Sequence, residues 1–181
     1  MSVQNYNNFN DYVKLGSVLP KYNLGWRNDF NIGNIGFGAM LAGRIGGVAI
    51  SMTQAALDHY GVSKESAEAR DAGGVNINGY RVPAQSYFEE RGKGRIAQYY
   101  TYSATNFRLQ EAYVSYRLPR KLVNDKIDVT LSIVGRNLAM LYSKAPFDPE
   151  AVSSTGNYAQ GLDYFMLPSL RSYGFSIKAN F

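Results

Sequence analysis

Strict alternation of oily and polar residues dominates this chain, and it is clearest at the end. From Ser172 to Phe181, Tyr173, Phe175, Ile177, Ala179 and Phe181 fall on one side, and Ser172, Gly174, Ser176, Lys178 and Asn180 on the other. Successive side chains of a strand point to opposite faces, whereas a helix repeats about every 3.6 residues. The segment therefore reads as a β-strand with an apolar face bounded by aromatic rings. Strands of transmembrane β-barrels look like this, with oily residues toward lipid and polar residues toward the lumen. A soluble sandwich edge strand can show the same alternation, so the rest of the chain has to decide.

Four further stretches obey the rule. Tyr22 to Asn31 sets Tyr22, Leu24, Trp26 and Phe30 against Asn23, Arg27, Asp29 and Asn31. Asn34 to about Val48 sets Ile35, Phe37, Ala39, Leu41 and Ile45 against mostly small residues and Arg44. Phe107 to Leu118 sets Ala112, Val114, Tyr116 and Leu118 against Glu111, Tyr113, Ser115 and Arg117. Lys126 to about Asn137 sets Ile127, Val129, Leu131 and Ile133 against Asp128, Thr130 and Ser132. Such lengths suit tilted strands that cross a bilayer.

The expected fold is all-β: five antiparallel strands of a transmembrane barrel, with long outer loops carrying a short helix and a small hairpin. The connections alternate. Ile32-Gly33 and Pro119 to Asp125 are short turns, while Ala49 to Asn106 and Leu138 to Leu167 are long. In bacterial outer-membrane barrels short turns face the periplasm and long loops face outside, which places the C-terminus in the periplasm. The expected division is the end of an extracellular loop at 1–21, a hairpin at 22–48 and an extracellular loop at 49–106. A second hairpin follows at 107–137, then a loop at 138–167 and the terminal strand at 168–181.

The lipid-facing set expected from the alternation is Leu24, Trp26, Phe37, Leu41, Val114, Tyr116, Val129, Leu131, Ile133, Tyr173, Phe175, Ile177 and Phe181. The lumen face is expected to carry Arg27, Asp29, Arg44, Glu111, Tyr113, Arg117, Asp128, Thr130, Lys178 and Asn180. The first long loop reads as a helix from Thr53 to Tyr60, capped by Thr53 and stopped by Gly61. A second helix, Ser63 to Arg70, would be capped by Ser63, and Asn78-Gly79 is a strong hairpin-turn signal.

Candidate chemistry is sparse. The chain has no Cys, which excludes a disulfide framework and thiolate metal sites. No G-x-S-x-G, H-E-x-x-H or phosphate-loop pattern occurs. His59 reads as an exposed loop histidine, and Asp148-Pro149-Glu150 as a turn rather than a calcium site. No catalytic, cofactor-binding or metal residue is expected, and the chain does not read as an enzyme. The basic run Arg91 to Arg95, followed by Tyr99, Tyr100 and Tyr102, reads as solvated or near lipid headgroups; nucleic acid is not an expected partner. The loop tyrosines fit an outer aromatic girdle best. Their second reading, as ligand or lid contacts, covers Tyr87, Tyr99, Tyr100, Tyr102 and Asp148. No run of about 18 apolar residues offers a spanning helix. The polar start, Met1 to Asn10, has neither the basic nor the apolar region of a secretory signal.

Several blocks resemble the last barrel hairpins of the SusC/RagA family of TonB-dependent outer-membrane transporters. They are LPKYNLGWRNDF (Leu19 to Phe30), ATNFRLQEAYVSYRLP (Ala104 to Pro119), VGRNL (Val134 to Leu138) and APFDPE (Ala145 to Glu150). The segment from Gly156 to Phe181 is the closest match. The resemblance implies about five C-terminal strands of a plugged, 22-stranded barrel in the outer membrane of a Gram-negative, Bacteroidetes-like cell. It implies import of glycans, oligosaccharides or peptides. The implied partners are membrane lipids, the remainder of the same barrel and plug, a SusD-type surface lipoprotein, and the TonB complex acting through an N-terminal region. The chain is then expected to be a piece of a longer protein. Two other readings stand beside it: a different barrel transporter, such as a siderophore receptor or porin, and a soluble β-rich glycan-binding or adhesion module.

Overall fold

A computed structural model describes residues 13–93, 97–123, 127–151, 156 and 159–180. Its main element is a five-stranded antiparallel sheet. Strands β1 (Tyr22–Ile32), β2 (Ile35–Ile45), β7 (Asn106–Arg117), β8 (Asp128–Ser143) and β10 (Ser172–Asn180) lie side by side in that order. The alternation read from the sequence becomes continuous rows. Phe30, Phe37, Val114, Ile133 and Phe175 are cross-strand partners, one strand to the next. So are Ile32, Ile35, Tyr116, Leu131 and Ile177. Cross-strand partners share a face, so one side of the sheet is apolar across its width. The other side carries Asn31, Gly36, Ser115, Ser132 and Ser176 in the row between.

The short connections lie at one end of the sheet. Gly33 and Asn34 form the β1–β2 turn, one residue later than the sequence suggests. Helix α4 (Arg120–Val123) lies within the β7–β8 connection. Two boundaries need correction. The first hairpin ends at Ile45 rather than Val48, because Gly46 and Gly47 take positive φ values of 81° and 83° and divert the chain. Strand β8 continues beyond Asn137 to Ser143, accommodating a residue at φ 53° where its register with β7 slips.

At the opposite end the long connections form a compact outer module. Strand β3 (Val48–Ser51) pairs with β6 (Thr101–Ser103), and in parallel with β9 (Leu162–Asp163). Helices α1 (Met52–His59), α2 (Lys64–Asp71) and α3 (Ala84–Gly92) pack beside it, with a 3-10 turn at Ala97–Tyr100. The Asn78-Gly79 turn joins β4 (Val75–Ile77) to β5 (Tyr80–Val82), as the sequence indicates. Ser63 caps α2 by accepting from Ser66 N, also as expected. The cap of α1 is Ser51, not Thr53; Ser51 accepts from Gln54 N at 3.1 Å. Helix α3, with Tyr87 and Phe88, occupies a stretch to which the sequence reading assigns no element.

The buried apolar residues lie in this module and where it meets the strands: Ala49, Ala55, Ala84, Phe88, Tyr100, Ala104 and Ala145. Helices α1 and α3 touch at Gly92, where a Cβ would collide with the backbone of Ala55 and His59.

Candidate functional site

The polar side of the sheet changes character along its length. Near the short turns it is an open ladder of charges. Arg27 Nε donates to Asp29 Oδ2 at 2.9 Å, and Tyr113 Oη donates to Asp29 Oδ1 at 2.7 Å. Glu111 takes Arg136 Nε at 3.1 Å and lies 3.7 Å from Arg27. Arg117 reaches Asp128 at 2.8 Å. Arg27 and Asp29 are open to water, and such surface pairs add little to stability. The ladder places Arg27, Asp29, Glu111 and Tyr113 on one face, as expected from the sequence.

Toward the outer module the same side is covered. Asn106 is fully buried and Arg108 is 3% exposed. Arg108 Nη2 donates to Asp148 Oδ1 at 2.9 Å and lies 3.3 Å from Glu150 Oε2. Asp148 also accepts from Glu150 N at 3.1 Å and, at Oδ2, from Ser169 Oγ at 2.6 Å. Asn137 donates from Nδ2 to Leu170 O at 3.3 Å. The second long connection is thus strapped across strand β7. Burial pushes the Asp148 carboxyl up, but hydrogen bonds from Ser169, Glu150 N and Arg108 outweigh it and hold the pKa below the ordinary range.

Inside the module a second buried ion pair organises the helices. Asp58, at 0% exposure, accepts from Tyr100 Oη at 2.8 Å and from Gln54 Nε2 at 3.2 Å. Arg91 Nε approaches Asp58 at 3.3 Å, and Arg91 Nη2 approaches Glu65 at 3.0 Å. The guanidinium also lies over the rings of Phe88, Tyr99 and Tyr100. One arginine therefore ties α1, α2, α3 and the 3-10 turn together. Burial and the Asp58 carboxylate push the Tyr100 phenol well up, so it stays a neutral donor.

The tyrosines expected as a girdle or as ligand contacts separate. Tyr100 is a correction to both readings, since it is 1% exposed and bonded to Asp58. Tyr99 is half exposed over Arg91, and Tyr87 packs edge-on against Phe88. Tyr102 stacks edge-on with Phe147 at 5.6 Å. The carboxylate of Asp148 is engaged by Arg108 and Ser169 within the strap. His59 is half-buried, with Nδ1 3.3 Å from Glu89 O, not an exposed loop residue. Arg91 is half-buried in its ion pair rather than solvated; the rest of that basic run beyond Lys93 lies outside the described residues.

The apolar rows do not come together in a core. Leu24, Trp26, Phe37, Val114, Tyr116, Ile133, Tyr173, Phe175 and Ile177 are all exposed, while Leu41, Val129 and Leu131 are partly covered. Phe181 lies outside the described residues. No helix among the described residues is long and apolar enough to cross a membrane.

A cavity of about 490 Å³ opens between the upper end of β8 and the strap, bordered by Met140, Phe147, Met166 and Arg171. Among the described residues no cluster of His, Cys, Asp or Glu is arranged to hold a metal.

No family model matches the chain. It is 24% identical over 174 residues to the TonB-dependent receptor P3 of Formosa agariphila, covering 92% of this chain and 17% of that receptor. The fold matches the RagAB peptide importer in its "open-open" state, with a TM-score of 0.63 and 18% identity, over 92% of this chain and 18% of that one. The chain thus spans less than a fifth of either relative's length. The resemblance to TonB-dependent receptors read from the sequence is met by a curated relative and by a solved fold. Both relatives carry the name of a receptor or an importer, not of an enzyme.

Proposed function

We propose that this chain forms wall and outer loops of a SusC-like TonB-dependent importer in the outer membrane of a Gram-negative cell. The five-stranded sheet is part of a larger, closed barrel whose other strands pair with the edges of β1 and β10. Its apolar rows face acyl chains. Its charge ladder lines the lumen. The short turns and the end of β10 lie in the periplasm, and the outer module faces the cell exterior, where a SusD-type lipoprotein would meet it.

The observation that carries this reading is the exposed apolar side, continuous across all five strands from Phe30 to Phe175. Monomeric water-soluble proteins rarely leave so wide a greasy face uncovered, and in hydrocarbon every backbone group must be paired within the sheet. The same face argues against the soluble binding module. The cargo class is a nutrient; the named relatives support an importer in general.

Lipid exposure tests the orientation. Single cysteines at Phe37, Ile133 and Phe175, and at Ser115, Ser132 and Ser176, would be placed in the full-length polypeptide on a cysteine-free background and labelled with a fluorophore. In reconstituted vesicles the first set is expected to be quenched by lipid-borne nitroxides and the second set spared. Equal quenching of both sets would overturn the reading.

A further inference from the structure

Among the described residues, the asparagines with a left-handed backbone are Asn78, at φ 51°, and Asn137, at φ 53°. They differ in what surrounds them. Asn137 precedes the branched Leu138, and its side chain is engaged: Nδ2 donates to Leu170 O, and Oδ1 accepts from Arg108 Nη1 at 3.5 Å. Asn78 precedes Gly79, at φ 86°, in the tight turn between β4 and β5. Both turn residues are exposed, and the space where a Cβ of Gly79 would stand is empty. No other asparagine of the chain is followed by glycine.

That dipeptide brings a nucleophile and an electrophile together. The main-chain nitrogen of Gly79 can close on the side-chain amide carbon Cγ of Asn78 to make a succinimide ring. A side chain on the following residue would crowd the approach, and glycine has none. One contact opposes closure: Gly79 N donates to Asn76 Oδ1 at 3.0 Å. The nitrogen must lose that proton to attack, and a neutral amide oxygen is too weak a base to take it. The bond therefore holds the nucleophile idle. Because a single exposed hydrogen bond is a modest restraint, it slows closure without preventing it.

We propose that Asn78 is a site of self-modification, converted through a succinimide to aspartate and isoaspartate, with Asn76 as its brake. A bond forms between Gly79 N and Asn78 Cγ, the Cγ–Nδ2 bond breaks, and Nδ2 leaves as ammonia with the proton from Gly79 N. Solvent water then opens the ring at either carbonyl. Opening at Cγ gives aspartate. Opening at the main-chain carbonyl gives isoaspartate, whose backbone runs through Cβ and Cγ and is longer by one carbon. A turn that needs positive φ at both central residues does not absorb the extra atom, so Ile77 and Tyr80, and Asn76 and Arg81, lose their register. Either product adds a negative charge at the tip of the outer module. The buried groups around Phe88 and Tyr100 lie elsewhere in the module and keep their partners. The site goes beyond the importer reading and does not depend on it.

The test incubates the full-length protein in detergent and maps its peptides by mass, with a carboxyl methyltransferase that marks isoaspartate as the second readout. Isoaspartate is expected to accumulate at position 78 and not at Asn137. Asn78→Ser should lose the mark. Asn76→Ala should gain it about fivefold faster, the effect of one ordinary hydrogen bond. Absence of isoaspartate at position 78, aspartate there without isoaspartate, or equal conversion at Asn137 would each overturn the site. An unchanged rate in Asn76→Ala would overturn the brake.

Discussion

The sheet and the outer module solve opposite problems with the same chain. The sheet is held by backbone pairing, and apart from Asn106 and Arg108 under the strap its large side chains stay near the surface; every described residue of β10 is exposed. The module hides its side chains, and much of what it hides is polar: Ser51, Asp58, Ser63, Ser66 and Asp163 are buried. The sheet depends on what surrounds it, whereas the module depends on internal partners. A substitution should therefore be damaging in the sheet when it alters the outward face, and in the module when it orphans a buried charge.

The largest expected effect is at Asp58. Replacing it with Leu removes the buried partner of Arg91, which keeps only Glu65, and leaves the Tyr100 hydroxyl without its acceptor; breaking a buried pair typically costs about 3–5 kcal/mol. Amide exchange should then quicken in α1, α2 and α3, with the β1–β2 hairpin unchanged; uniform loosening of both regions would erase the contrast. Next comes Ile133→Arg, expected to cost about 2–4 kcal/mol near the bilayer midplane, against little for Ser132→Arg one residue away. Insertion yields of the two variants provide the measure, and similar yields would remove the distinction between the faces. Gly92→Ala should cost about 1–3 kcal/mol by forcing α1 and α3 apart, seen as faster proteolysis of the module alone.

The smallest and most conditional effect is on the strap. The Asp148 pKa is lowered in the folded state, so its contribution is fully present above the ordinary carboxylate value of about 4 and is lost as pH falls through the lowered one. Exchange in residues 144–151 and 162–171 should rise in that acidic window, and Asp148→Asn should remove the pH dependence. A strap insensitive to both would show that Arg108 does not hold it.

The same division decides what could be read beforehand. All five strands of the large sheet were legible because period-two alternation accumulates over many residues and needs no distant partner. The α2 cap and the Asn78-Gly79 turn were legible because their signals are local. The cap of α1 was misplaced by two residues, since Ser51 ends a strand whose partner Leu162 gives no local sign. Helix α3 carries a weak local signal, since no side chain caps its start and its first turn holds no acidic residue. Pro83 before a helix-compatible run, with Glu89 and Lys93 one turn apart, was the available clue. The Asp58–Arg91–Tyr100 cluster was not legible at all, because no spacing rule links residues on three separate elements.

One pairing sets the order in which the molecule can be completed. Strand β3 lies between β6 and β9, and Ser51 donates to Asp163, 112 positions further along. Neither the small sheet nor this bond can close until the polypeptide through Asp163 is in place, and such distant contacts are slow to form. Early hairpins can zip locally while the outer module waits. Until that closure Phe88 and Tyr100, which the finished module buries, stay open to solvent.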